Sequence, residues 1–138
     1  MSALLFPVSA AQAQNVSRIA VIGAPEEPRF SEVLSGLRKG LEQAGYTSES
    51  IHVEEVKIAR AEKKSATAVV ERLVQKDTRV LFLIGSRLVK PARAASKEVP
   101  IVFITPGDPV ASGLVDSLAR PGRRTTGMTF EYPELSGK

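Results

Sequence analysis

Apolar and polar positions change their period several times along this chain, and the changes divide it into alternating strands and helices. Arg18 to Ile22 (RIAVI) is a short run rich in β-branched residues, stopped by Gly23, which predicts a first strand. After the loop Ala24-Pro25-Glu26-Glu27-Pro28, the residues Phe30, Val33, Leu34, Leu37, Leu41 and Ala44 recur at helical spacing. Glu32, Arg38, Lys39 and Glu42 fall on the other faces, and Gly45 stands where a helix-ending glycine belongs. Ile51 to Ile58 (IHVEEVKI) alternates in part, as an edge strand with one wetter face does. Ala66, Val69, Val70, Leu73 and Val74 mark a second amphipathic helix that ends near Lys76-Asp77. Val80 to Ile84 (VLFLI) and Ile101 to Ile104 (IVFI) are unbroken apolar runs, the pattern of central strands buried on both faces. Between them Pro91 either kinks a helix begun at Ser86 or starts one itself.

The run at Ile101 to Ile104 is closed by Thr105-Pro106-Gly107 and followed by Asp108-Pro109. Asp is a favoured helix N-cap and Pro a favoured first helical residue, so the strand end doubles as a helix start, with the helix itself placed around Gly113 to Ala119. The turn Arg120-Pro121-Gly122-Arg123 then leads to a fifth strand at Thr126 to Phe130. The order β-α-β-α-β-α-β-α-β, with connections of crossover length, predicts an α/β fold with a three-layer parallel sheet. In such sheets ligands sit outside the carboxyl ends of the strands, beside helix N-termini that favour negative charge.

Composition narrows the class. A chain of 138 residues, 43% hydrophobic and 25% charged, suits one globular domain and is short for two. The net charge of +4 does not point to nucleic acid, because Lys and Arg are interspersed with Asp and Glu as on an ordinary solvated surface. No apolar run approaches the roughly 20 residues of a membrane span. The opening MSALLFPVSAAQAQ has a short apolar stretch and the small-x-small pattern Ala11-Gln12-Ala13, so residues 1–13 are expected to be a signal peptide remnant cut after Ala13, although no basic residue precedes the apolar part. Lipoprotein anchoring uses a cysteine at the cleavage site. The chain has none, so the expected exported form is free in the periplasm, with neither disulfides nor thiol chemistry.

Enzyme signatures common on this architecture are missing from the sequence. Gly23-Ala24-Pro25-Glu26-Glu27-Pro28 is not G-x-G-x-x-G, and GxxxxGK[ST] and G-x-S-x-G do not occur. His52 is the single histidine, on the polar side of a strand with no ligand-spaced Cys, His or carboxylate, which reads as a surface residue. No catalytic residue, metal or cofactor is expected. The strand ends carry residues suited to binding instead. Ser86 offers a hydroxyl to a carboxylate or serves as a plain cap. Thr105 and Asp108 flank the turn after the fourth strand. Glu26 and Phe30 follow the first, Phe30 being core or a stacking surface. Arg123-Arg124 is an anion clamp or a solvated turn.

The stretch GDPVASGLVDSLARPGRRTTGMTFEYPELSGK resembles, long and without gaps, the segment GDPV..GLV.SLARPGGN.TG.S....ELSGKRLELL of a family of periplasmic substrate-binding proteins of ABC transporters. RIAVIGAPEEPRFSEVLSGLRKGLEQAGY is similar to that family's first strand and helix. The resemblance implies one lobe of a type I periplasmic binding protein, with flavodoxin-like strand order 2-1-3-4-5. Residues 14–130 would form the N-terminal α/β lobe and residues 131–138 would begin the crossover to a second lobe. It implies a small-solute ligand, an amino acid (aromatic in some relatives), and ABC permease subunits in the inner membrane as partners. Thr125, Thr126 and Thr129 lie where the family's chain crosses between lobes, and Asp108 could face a ligand's ammonium group as well as cap a helix. Glu26, Phe30, Ser86, Thr105, Asp108 and Thr129 are therefore the candidate ligand-binding residues. The family resembles Gly-Thr-Pro after its third strand, from which Arg87, Lys90 and Pro91 depart. Two other classes share the architecture: a stand-alone flavodoxin-like enzyme or nucleotide-binding domain, and the effector-sensing core of a transcription regulator.

Overall fold

The computed structural model describes residues 16–60, 62, 65–122 and 124–130. Five strands, β1 (Ser17–Gly23), β2 (Ile51–Lys57), β3 (Thr78–Ile84), β4 (Ile101–Pro106) and β5 (Thr125–Phe130), form one sheet in the order β2-β1-β3-β4-β5. Every neighbouring pair is parallel. The helices are α1 (Phe30–Gln43), α2 (Ser65–Gln75) and α3 (Val89–Ala95), the last entered through a 3-10 turn, Ser86–Leu88. Pro91 lies in the first turn of α3, where its missing N–H leaves no helical bond unmade. Both the α/β class and the expected strand order are present, with β2 at the edge.

Alternation along the strands sorts side chains into two cores. Ala20 and Ile22 of β1, Leu81 and Leu83 of β3, and Ile101 and Phe103 of β4 face α2 and α3, where they meet Val70, Leu73, Leu88, Val89 and Ala92. Ile19, Val21, Phe82 and Ile84 face the opposite way and meet Phe30 and Leu34 of α1. Burying each of the Val, Leu, Ile and Phe side chains contributes about 1.5–3 kcal/mol, so these two layers hold the sheet. The apolar period also places the end of α1. Tyr46 N–H donates to the Leu41 carbonyl and Gly45 N–H to that of Glu42, each at 3.0 Å, which is the Schellman pairing expected of Gly45.

Two expectations are corrected. No helix forms at Gly113 to Ala119; residues 107–122 are turns and bends. The start signal at Asp108 is real, but only one turn results: Ser112 N–H donates to the Asp108 carbonyl at 3.1 Å and Leu114 N–H to that of Pro109 at 2.8 Å. Gly113 then takes φ +69, a left-handed conformation that ends the turn and that glycine adopts without a Cβ clash. Leu114 and Val115 follow as anchors in the α2/α3 core, so this loop covers the sheet where a fourth helix was expected. The second correction concerns β4. Ile101 and Phe103 are buried but Val102 and Ile104 only half so, because α1 lies over β1 and β3 and reaches the β4 side only in part. An apolar groove remains there, lined by Val33 and Leu37 of α1 with Phe82, Ile104 and Met128. Among the described residues no helix is long and apolar enough to cross a membrane.

Gly127 gives a direct test of the β4–β5 register. A Cβ at this position would lie 2.5 Å from the Phe103 carbonyl oxygen and 2.6 Å from its ring, so one of two packed strands has to move. Gly127→Ala is expected to destabilise the fold by about 1–3 kcal/mol, read as a lower urea midpoint by circular dichroism. The same change at Gly36, on the exposed side of α1 with no atom within 4 Å of a Cβ, is expected to leave the midpoint unchanged or raise it.

Candidate functional site

The strand order makes the site before any side chain is considered. The loop after β1 leads to α1 on one face of the sheet, and the loop after β3 leads to α3 on the other. Adjacent strands whose connections part in opposite directions leave a crevice at their carboxyl ends, the topological switch point of an open parallel sheet. Residues 24–29, 58–60, 85–88 and 106–108 border it, and the end of β5 closes one side.

The six residues singled out by sequence occupy different positions in this rim. Glu26 is exposed and makes no hydrogen bond among the described residues. Phe30 is 3% exposed and lies in the α1-side core, its ring close against Gly23 and 5.2 Å from the Lys57 ammonium. Its apolar surface is thus used for packing. Ser86 is exposed and does not act as a cap: the residue preceding the 3-10 turn is Gly85, and no side chain caps that turn. Thr105 is 2% exposed, its hydroxyl donating to the Pro106 carbonyl at 3.2 Å. Thr129 is exposed on β5, in register with Thr105. Asp108 is exposed, and its Oδ1 accepts from Val110 N–H at 2.8 Å and Ala111 N–H at 3.1 Å. That is the capping geometry. Of the basic pair, Arg124 has φ +50 and donates to the Glu98 carbonyl at 3.0 Å, while Arg123 lies outside the described residues. His52 is exposed on β2, and no group of three or more possible metal ligands occurs among the described residues.

Three contacts that local patterns do not reveal organise the rim. Glu27 Oε2 accepts from Arg60 Nη2 at 3.2 Å, joining the loop after β1 to the chain after β2. The Arg29 guanidinium stands 4.7 Å over the Phe130 ring, which ties the start of α1 to the end of β5 by a cation–π contact. Arg87 Nη2 donates to the Ile58 carbonyl at 2.7 Å. Glu27, Arg29, Ile84, Gly85, Pro106 and Phe130 enclose a recess of about 40 Å³. Ligand pockets span roughly 300–1,000 Å³, so this recess is the floor of a site rather than a whole one.

Replacing Asp108 separates capping from charge. Asp108→Ala is expected to cost about 0.5–2 kcal/mol in chemical denaturation, and Asp108→Asn close to nothing, since Asn caps equally well. An Asn variant as unstable as the Ala variant would contradict the capping geometry.

Comparison with known proteins agrees with this geometry. The chain is 27% identical over 107 residues to a protein named "Tyrosine-binding protein" from Clostridioides difficile (strain R20291), covering 78% of this chain and 31% of that one. It superposes with a TM-score of 0.76, at 25% identity, on the ligand-free, open structure of a substrate-binding protein with adhesive properties from Clostridium difficile, covering 88% of this chain and 41% of the other. A Streptococcus pneumoniae ABC domain solved with L-Trp has the same fold, with a TM-score of 0.72 at 20% identity over 82% of this chain and 38% of that one. The chain therefore spans between about a third and two fifths of the length of these three proteins. Residues 18–134 match the family described as ABC transporter substrate binding protein, and the chain belongs to that family.

Proposed function

We propose that this chain forms the N-terminal lobe of a binding protein that holds a small solute, an amino acid with aromatic ones favoured, between two lobes and delivers it to the permease of an ABC transporter. The observation that carries this reading is the crevice at the switch point, with a floor of about 40 Å³ and an open rim of backbone turns, hydroxyls and charges. It is the shape of half a cleft. The relatives named for tyrosine binding or solved with L-Trp supply the ligand class. Ser86 and Thr129 offer exposed hydroxyls, Glu26 a carboxylate for an ammonium group, and Thr105 and Asp108 shape the neighbouring loop after β4. Phe30 supports the floor from beneath, packed against Gly23 at the end of β1. The work done is binding and closure by a hinge between lobes, and no bond is made or broken. Residues 14–130 constitute the lobe in this reading, and residues 131–138 start the crossover.

One lobe makes only part of the contacts and leaves most of the solute in water, so affinity falls well below that of a closed cleft. Titration calorimetry of the 138-residue chain with L-tyrosine, L-tryptophan and L-phenylalanine is expected to give Kd values near or above about 1 mM. Joining the chain to a matching second lobe is expected to tighten them by orders of magnitude. Submicromolar binding by this chain alone would contradict the half-cleft reading.

ABC substrate-binding proteins act outside the cytoplasm, and we propose the periplasm for this one, with residues 1–13 removed during export. Expressed behind a complete basic n-region in a Gram-negative host, the protein is expected in the periplasmic fraction with Gln14 as its first residue by N-terminal sequencing. Cytosolic protein that keeps the opening residues would overturn this.

A further inference from the structure

Arg87 satisfies a backbone carbonyl of the rim, and its charge is left without an anionic partner among the described residues. It follows β3 in the 3-10 turn, and its Nη2 reaches the carbonyl of Ile58, which follows β2. In the sheet β1 lies between β2 and β3, so the side chain has to run across the carboxyl end of β1 to make that bond. The guanidinium is thereby tied to the segment after β2, beside the recess and not in its lining. Arg87 is half-buried, and among the described residues the Ile58 carbonyl is its one hydrogen-bond partner. Among the described residues no carboxylate pairs with it. Of the acidic residues in this rim, Glu27 is engaged by Arg60 at 3.2 Å, Asp108 accepts from the Val110 and Ala111 N–H groups, and Glu26 is exposed; none of the described ion pairs includes Arg87. A guanidinium carries five N–H donors, and a single bond to a neutral carbonyl leaves most of them and the whole positive charge uncompensated. A partly desolvated cation in that state gains strongly from an anion with matching geometry.

We infer that Arg87 is the anchor for the carboxylate of the bound solute. The Ile58 carbonyl fixes the planar fork from one side, so the remaining donors are oriented before the ligand arrives, and a carboxylate can be taken by two parallel N–H···O bonds. A solute lacking the carboxylate leaves the charge buried and unpaired on closure, which makes Arg87 a specificity determinant as well as a contact. The inference rests on the proposed use of this crevice as the ligand face. It adds the chemical group recognised there and the residue that recognises it.

The test uses the full 138-residue chain, isotope-labelled and observed by NMR at the arginine Nε–Hε resonances and backbone amides. The probes are L-tryptophan, indole-3-acetate, which keeps a carboxylate without the ammonium group, and tryptamine, which keeps the amine without the carboxylate. Both carboxylates are expected to shift the Arg87 Nε–Hε resonance and the amides of Gly85 and Ser86, and tryptamine is expected to leave them in place. Arg87→Gln can still donate to Ile58 but carries no charge, and it is expected to weaken both carboxylates by at least about tenfold. Arg87→Lys keeps the charge without the fork and is expected to fall between. Response to indole-3-acetate without response to L-tryptophan would reject the amino-acid reading and retain the anchor. An Arg87 resonance unmoved by either carboxylate overturns the anchor, as does an Arg87→Gln protein with native amide shifts that binds both as well as the original. Should neither variant fold, the resonance in the unmodified protein decides alone.

Discussion

Parallel pairing is the constraint from which the other features of this fold follow. Two parallel neighbours cannot be joined by a tight turn, so every connection has to leave the sheet, cross one of its faces and return to the opposite end. With β1 between β2 and β3, the first connection takes one face and the next two take the other. The two-sided burial of β1, whose Ala20, Val21 and Ile22 are completely inaccessible, depends on that division. So does the crevice at its carboxyl end. Packing and binding site are thus two results of one topological arrangement, and the side chains that line the rim refine a position that the backbone has already created.

Much of this was legible in the sequence because it is written in local period. RIAVI, VLFLI and IVFI announce buried strands, the spacing from Phe30 to Leu41 announces α1, and the partly alternating IHVEEVKI correctly announces an edge. The stretch after Asp108 failed for a physical reason. Its cap is present and makes the expected bonds, but a glycine within a helical pattern can be tolerated or can turn left-handed, and the choice at Gly113 is made by tertiary packing of Leu114 and Val115. The exposure of Val102 and Ile104 was unreadable for a similar reason, since a strand's own residues do not say how far a helix 60 positions earlier will reach.

The rim shows the same division between local and distant information. Asp108 could be identified as a cap from its neighbour Pro109 alone. The pairing of Glu27 with Arg60 joins residues 33 apart, and that of Arg87 with Ile58 joins residues 29 apart, distances at which no spacing rule operates. Charge balance on the folded rim therefore differs from that along the sequence. Acidic and basic residues alternate in the primary structure, yet folding neutralises Glu27 and leaves Arg87 with a neutral partner. Arg87 stands directly after β3, but nothing in its local pattern says that its partner will be the carbonyl of a residue 29 positions earlier.

The uncovered groove beside α1 has a chemical consequence of its own. Its outer margin is formed by Met128, a residue 56% exposed on β5. Peroxide converts an accessible thioether to a sulfoxide, replacing a flexible apolar group with a polar, chiral one. The oxidation state of one sulfur atom thus sets whether this margin of the sheet behaves as oil or as a hydrogen-bond acceptor. Under oxidation the surface beside Phe82 and Ile104 would lose apolar character, while the adjoining recess, whose lining holds no sulfur, would keep its chemistry.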